Sequence, residues 1–375
     1  MKKTYLLVLL LPLVLFSCSS GKKALQRGDY YQAISKAVER LKSNPTNDNA
    51  LKVLKDGYPM AVEWSQEEID LTLTSNEAFK WERTISVMKR VNAMSDQIRS
   101  TPAARKIFPD PKTYTSELNM AYEKAAEDRY LAGLHFMEQE TRESARTAYT
   151  HFDRADQWIQ GYKDTHEKMA IAKELATVNV VVEAVTVRTK VYELSSEFFY
   201  NQVFEYLNNQ YPSHGFVNFF SPKQAENFEL NPDFVVRMEF YDFSVGNLVR
   251  SEKEESLTKK VKVPLTDSTF VNKTYHAKLK TYTDEVISGG RLNYRIVDFQ
   301  NDKLLRDNLI PGNFNWVNQY AIFAGDEQAL SDAQFALTQQ KAVPLPPHQD
   351  LFIEFTRPIY NQLTNELNSF FRRYR

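Results

Sequence analysis

The chain has 375 residues, with 47 Lys plus Arg against 48 Asp plus Glu, so no basic excess points to nucleic acid. Charged residues make up 25%, the ordinary globular share, which argues against disorder. Eleven glycines leave little room for phosphate-cradling loops, while 24 Phe and 20 Tyr suit broad packing surfaces and interfaces.

Residues 1–17 read as an export signal. Lys2 and Lys3 are basic, and Leu6 to Phe16 are apolar, interrupted only by Pro12. That run is too short for a bilayer-spanning helix, which takes roughly 20 residues. Leu15, Ser17 and Cys18 resemble a bacterial lipobox, with Cys18 as the acylated first residue of the mature chain. Two or more acyl chains hold a protein firmly at a membrane, where one does not. Cys18 is the only cysteine, so no disulfide competes for it. Ser19 and Ser20 follow, then Lys22 and Lys23 instead of an acidic run. The pattern resembles Bacteroidetes-type outer-membrane lipoproteins and implies anchoring at the outer membrane, facing the periplasm. Little chain separates Cys18 from the first helix, so that helix is expected close to the bilayer.

Residues 18–176 are expected to be helical. Gly28, Asp29, Tyr30, Ala33, Ile34, Ala37, Leu41 and Pro45 resemble the second helix of a tetratricopeptide repeat (TPR). Arg40 stands where that family prefers a small residue. A second match joins Gly133, Ala145 and Tyr149. Between them, Phe79, Trp81, Ile85, Met88, Val91, Met94 and Ile98 recur at helical spacing, and residues 101–112, with three prolines, read as a loop. The resemblance implies a TPR-like solenoid with a concave partner-binding surface. Tyr130, Leu134 and Met137 are candidates for that groove. The alternative is that they are core between repeats.

Residues 177–343 change period and are expected to form a mixed α/β domain. A β-branched strand begins at Val178. A helix follows with Ser195 as a candidate N-cap, and short strands follow at Phe216 to Phe220, Asp233 to Phe243 and Lys259 to Val263. Tyr275 to Ile287 and Arg291 to Phe299 flank Gly289-Gly290, which reads as a hairpin turn. Asn301-Asp302 reads as a second turn before Lys303 to Leu309. Pro232-Asp233-Phe234-Val235-Val236 and Arg295 to Leu304 are similar to parts of the curli-secretion lipoprotein and TolB amino-terminal families. That resemblance implies a small α/β domain. Long amphipathic strands of a curli-type pore are not evident, so no channel is implied.

Trp316, Tyr320 and Asp326 form a candidate partner or ligand loop, with Asp326 as a cap for a helix starting at Glu327. Asp267-Ser268-Thr269 resembles an O-glycosylation acceptor of Bacteroidetes envelope proteins, with Ser268 as the modified residue. Residues 344–375 read as a Pro-rich linker and a C-terminal helix, in which Pro358 marks a kink or a new start. The fold class is therefore α+β in two parts: a TPR-like helical solenoid, then a mixed sheet domain with a C-terminal helix.

No catalytic signature stands out. His166-Glu167 begins a zinc-protease motif, but Ala170 stands where the second histidine is required. Glu254-Glu255, Asp284-Glu285 and Asp326-Glu327 alternate across strand faces and read as solvated charge. Neither a metal nor a cofactor is expected. The leading expectation is a non-enzymatic, lipid-anchored scaffold or accessory subunit of an envelope assembly, with other envelope proteins as partners. A small-ligand or glycan-binding lipoprotein is the alternative, and an envelope hydrolase the third.

Overall fold

A computed structural model describes residues 21–187, 193–212, 215–266 and 269–374. Cys18, the signal segment and Ser268 lie outside these residues. The chain divides into two compact units between Ala176 and Thr177.

The first unit is helical. A five-residue helix α1 (Lys22–Gln26) precedes α2 (Tyr30–Ser43). Asp29 caps α2 by accepting a hydrogen bond from the Gln32 amide at 3.2 Å. Ala33, Ile34, Ala37 and Leu41 are buried, so the repeat-like positions are core positions. The next helix, α3 (Asp48–Thr74), runs 27 residues and continues through Pro59. Asn47 caps it through the Ala50 amide. α4 (Lys80–Arg99) begins one residue after Phe79, whose left-handed φ of 56° sets it outside the helix. The segment expected to be a loop contains a short helix, α5 (Pro102–Ile107), with proline at its first turn where no amide partner is lost. The Tyr58 hydroxyl accepts from the Lys112 amide at 2.6 Å and pairs with Ser95, tying the rest of that loop down.

α6 (Ser116–Met137), α7 (Arg142–Trp158) and α8 (Thr165–Ala176) complete the unit. α6 and α7 meet where Gly133 leaves room for the buried Phe152 ring; a Cβ on Gly133 would lie 2.5 Å from that ring.

The second unit is built on a five-stranded sheet in the order β2-β1-β3-β4-β5. Its strands are β1 (Val178–Val182), β2 (Val217–Phe220), β3 (Phe234–Thr266), β4 (Thr269–Asp298) and β5 (Lys303–Gly325). β1 runs parallel to β2 and β3, and the rest is antiparallel. Helix α9 (Glu193–Gln210) joins β1 to β2, and α10 (Pro222–Asn227) joins β2 to β3. Ser195 lies inside α9, which begins at Glu193, so it is not the cap.

The largest departure from the sequence reading is strand length. β3, β4 and β5 contain 33, 30 and 23 residues. The long strands expected to be absent are present. Gly289-Gly290 makes no turn: β4 passes straight through it, with Gly289 opposite Asn313 and Gly290 opposite Gly312. Glycine is required there by close approach. A Cβ on Gly290 would lie 2.3 Å from Phe243 Cβ, and one on Gly312 would lie 2.4 Å from the Phe355 carbonyl oxygen. The two separate strands expected at Asp233 to Phe243 and Lys259 to Val263 are one strand, bent by irregularities between Tyr241 and Asn247. The turn at Asn301-Asp302 is present, with Asp298 Oδ1 accepting from the Gln300 and Asn301 amides.

After β5 come a 3₁₀ turn (Glu327–Ala329), α11 (Asp332–Thr338) and α12 (His348–Phe371). α12 is one helix that continues through Pro358. Its Phe352, Phe355, Ile359, Leu363 and Leu367 pack with Phe199, Val203 and Leu207 of α9 and with Phe240, Leu292 and Tyr294 of the sheet. The C-terminal segment is thus part of the sheet unit's core. Tyr294 donates to Glu366, which also accepts from Asn308 at 3.0 Å, fixing α12 over β4 and β5.

Burial changes parity along β4. Tyr275, Ala277, Leu279 and Thr281 are buried at the distal end, then Asp284, Val286 and Ser288, then Leu292, Tyr294 and Ile296 at the base. Odd and even residues face opposite sides of a sheet. One strand therefore serves two cores on opposite faces: α12 and α9 cover the even face of the base, while Ala329, Leu330, Phe335 and Leu337 cover the odd face farther out.

Candidate functional site

The distal part of the long sheet is the candidate site, because it extends past the core under α12. All three strands run together as far as the Ala277–Gly325 pair. Beyond it, β3 and β4 continue as a two-stranded ribbon to the Thr266–Thr269 pair. Phe270 and Val271 are exposed near its tip, at 66% and 48%. Lys259, Lys260, Lys262 and Lys273 are interleaved with Val261 and Val263. The Lys259 ammonium donates to the Leu330 carbonyl at 3.1 Å, which holds the 3₁₀ turn against β3.

Midway along, one row crosses all three strands. Arg250 is directly opposite Asp284, and Asp284 is directly opposite Asn318. Arg250 Nε and Nη2 donate to the two Asp284 carboxylate oxygens at 2.5 and 2.8 Å. These bonds hold the Asp284 carboxyl below the usual range, against the opposing pull of desolvation. Asp284 is buried and paired, which corrects its reading as solvated charge. Asn318 is also buried, and its side-chain nitrogen has no hydrogen-bond partner. Next in line, Tyr282 and Tyr320 are opposite one another and stack at 5.1 Å between centroids. Lys280 bonds Glu252 across the ladder at 2.8 Å. A bidentate ion pair across two strands fixes register, and that is the chemistry this row supplies.

The residues expected in a loop are placed differently. Trp316 and Tyr320 lie within β5, half-buried, opposite Val286 and Tyr282. Asp326 follows β5 but its side chain does not cap the turn that starts at Glu327. Instead its carboxylate accepts from the His276 amide at 3.1 Å, and its own amide donates to the His276 carbonyl. Asp326 thus ends the ladder between β4 and β5. The three residues do not share a loop.

In the helical unit, Tyr130 is buried against Phe152, and its hydroxyl donates to Asp164 at 2.7 Å. That hydrogen bond to a carboxylate pushes the phenol up to about 12. Leu134 and Met137 are half-buried against the same cluster. Tyr130 therefore serves the core between α6 and α7 instead of an open groove. Met137 also borders a cavity of about 370 Å³ with Arg142, Ala145 and Leu175.

A polar hub that the sequence does not reveal joins α4, α6 and α7. Glu82 accepts from Arg129 at 2.7 and 3.0 Å and from the Trp158 indole at 2.9 Å. Burial works to raise the Glu82 carboxyl, but these donors outweigh it and hold it below its ordinary value. Arg129 Nη1 also reaches His151 Nδ1 at 3.2 Å, and the His151 ring stacks on Phe136. Burial first, then the Arg129 charge, lowers the His151 imidazole. These residues lie far apart in sequence, and no spacing signal joins them.

Among the described residues, no cluster of three or more His, Cys, Asp or Glu is arranged to hold a metal ion. No described helix is long and apolar enough to cross a membrane. His166 is exposed on α8 and pairs with Asp156 at 2.8 Å.

No protein-family model matches the chain, and no curated protein matches it. Among solved structures, a neuraminyllactose-binding hemagglutinin homolog from Helicobacter pylori aligns over 53% of this chain and 90% of its own, at 12% identity and a TM-score of 0.27. That score is too low to transfer a fold or a function.

Proposed function

We propose that this chain is a non-enzymatic lipoprotein, anchored to the outer membrane through acylated Cys18 and facing the periplasm, that serves as a protein-interaction scaffold or accessory subunit of an envelope assembly. The observation that carries the reading is the distal sheet. Three strands continue beyond the α12 core, and the ribbon at their end exposes Phe270 and Val271. Exposed apolar side chains rimmed by charge suit a protein contact. Both faces of the distal sheet carry charge: Arg250, Glu252, Glu254 and Lys260 are on one, Lys253, Glu255 and Lys259 on the other. Such faces suit water and protein partners better than hydrocarbon.

The test is site-specific photo-crosslinking in intact cells, with the crosslinker at Phe270 or Val271. Discrete adducts with other envelope proteins are expected there, and none from a crosslinker at Lys36 on α2. A tip that yields no adduct from either position overturns the scaffold reading.

A further inference from the structure

The two outer edges of the long sheet differ in how they are protected. β3 and β5 are its outer strands over the distal half, and among the described residues neither pairs with a further strand there. An open edge presents unpaired amides and carbonyls to any other chain, and native proteins blunt such edges with charge. β3 does so: Arg250, Glu252, Lys253, Glu254, Glu255, Lys259, Lys260 and Lys262 crowd one stretch. β5 does not. From Asn308 to Gly325 it carries no charged residue. Leu309, Val317 and Ile322 are exposed along it, at 37%, 52% and 56%. Pro311, allowed on an edge strand because it cannot donate to a ladder, is the one protective residue in that run.

We propose that the free edge of β5 pairs antiparallel with β5 of a second copy of this chain. A two-fold axis normal to the sheet, passing near Trp316 or Val317, joins the two sheets into one and keeps each face continuous. The closed two-fold arrangement uses the same strand on both sides. An uncharged strand is its own complement. About Val317, Asn315 meets Gln319, Phe314 meets Tyr320 and Trp316 meets Asn318, with no like charges opposed. A charged partner strand finds no counter-charge along this edge. A second copy of β3 is disfavoured for the converse reason, since its lysines and glutamates would be brought together and desolvated.

The test is analytical ultracentrifugation of the full-length chain in a non-ionic detergent. A dimer is expected at micromolar concentration. Val317→Lys and Val317→Glu each place like charges beside the axis and are expected to weaken the dimer at least tenfold. Far-UV circular dichroism should stay unchanged, because Val317 is exposed on the single chain. Mixing the two variants is expected to restore a dimer, through opposite charges across the axis. Ser256→Lys on β3 is expected to change nothing. A full-length chain that stays monomeric at tens of micromolar overturns the proposal, as does a dimer that survives both Val317 variants.

Discussion

Arg250 and Asp284 face one another across β3 and β4, and the exposed guanidinium closes over a carboxylate that is 2% exposed. The carboxyl is held below its ordinary value by those hydrogen bonds. A group depressed on folding stabilises the fold above its unfolded value, about 3.9 for Asp. That contribution is lost as pH falls through the folded value. Asp284→Asn should lower the melting temperature at pH 7, and its acid-side decline below about pH 4 should be shallower than that of the parent chain. Thermal melts from neutral to acidic pH would show it. Parallel profiles would mean the pair adds nothing to stability.

His151 gives a second pH signature with the same sign. Its imidazole is lowered by burial and by Arg129, so the unfolded chain binds the proton more tightly. Stability should therefore be full above the unfolded value of about 6.5 and fall as pH drops through the folded value. His151→Phe keeps a ring against Phe136 and removes the titration. The difference in melting temperature between the two proteins should widen in favour of the variant as pH moves from 7 towards 5. A gap independent of pH would contradict this account.

The glycines of the long sheet should rank by what crowds them. Gly290→Ala and Gly312→Ala each force a Cβ to within 2.5 Å of a neighbour, Phe243 Cβ in one case and the Phe355 carbonyl in the other. Overpacking of this kind costs about 1–3 kcal/mol. At Gly289 the nearest contact is 3.2 Å, so Gly289→Ala should cost less than either. Urea denaturation of the three variants supplies the ranking.

For the hub in the helical unit, Glu82→Gln keeps the shape but removes the charge facing Arg129. Charged hydrogen bonds are worth about 1.5–3 kcal/mol, and partial exposure screens them. A loss of about 1–2 kcal/mol in chemical denaturation is expected. A change below about 0.5 kcal/mol would class the hub with ordinary surface charge.

The anchor is tested by fractionation. Cys18→Ser should leave the protein either soluble after signal removal or retained as an uncleaved precursor. Membrane-bound, normally processed Cys18→Ser protein would show that another feature holds it there.

Some of this architecture could be read from residue order. The change of period at Val178 marks the end of the helical unit, because helix and strand place apolar side chains at different intervals. Ala33, Ile34, Ala37 and Leu41 lie on the buried side of α2 for the same reason. Other elements were hidden by local signals that tertiary packing overrides. Gly289-Gly290 looks like a turn until Phe243 and Phe355 are brought against the strand. β3 looks broken because its Lys and Glu residues interrupt the apolar alternation once α12 no longer covers that face. Pro358 looks like a kink or a new start, yet α12 continues through it, as α3 does through Pro59. The partners Arg250 and Asp284 are 34 residues apart, and only the register of the ladder brings them together.

The parity change along β4 has a mechanical consequence. Each end of that strand is clamped by a different core on a different face, and the ladder between them is continuous. Inter-strand hydrogen bonds run across the strands, so tension along β4 strains many of them at once in shear. A pull on the ribbon tip would draw β3 and β4 together, load the β4–β5 ladder in shear and be delivered to the packing under α12. The distal sheet thus couples its tip mechanically to the core at its base.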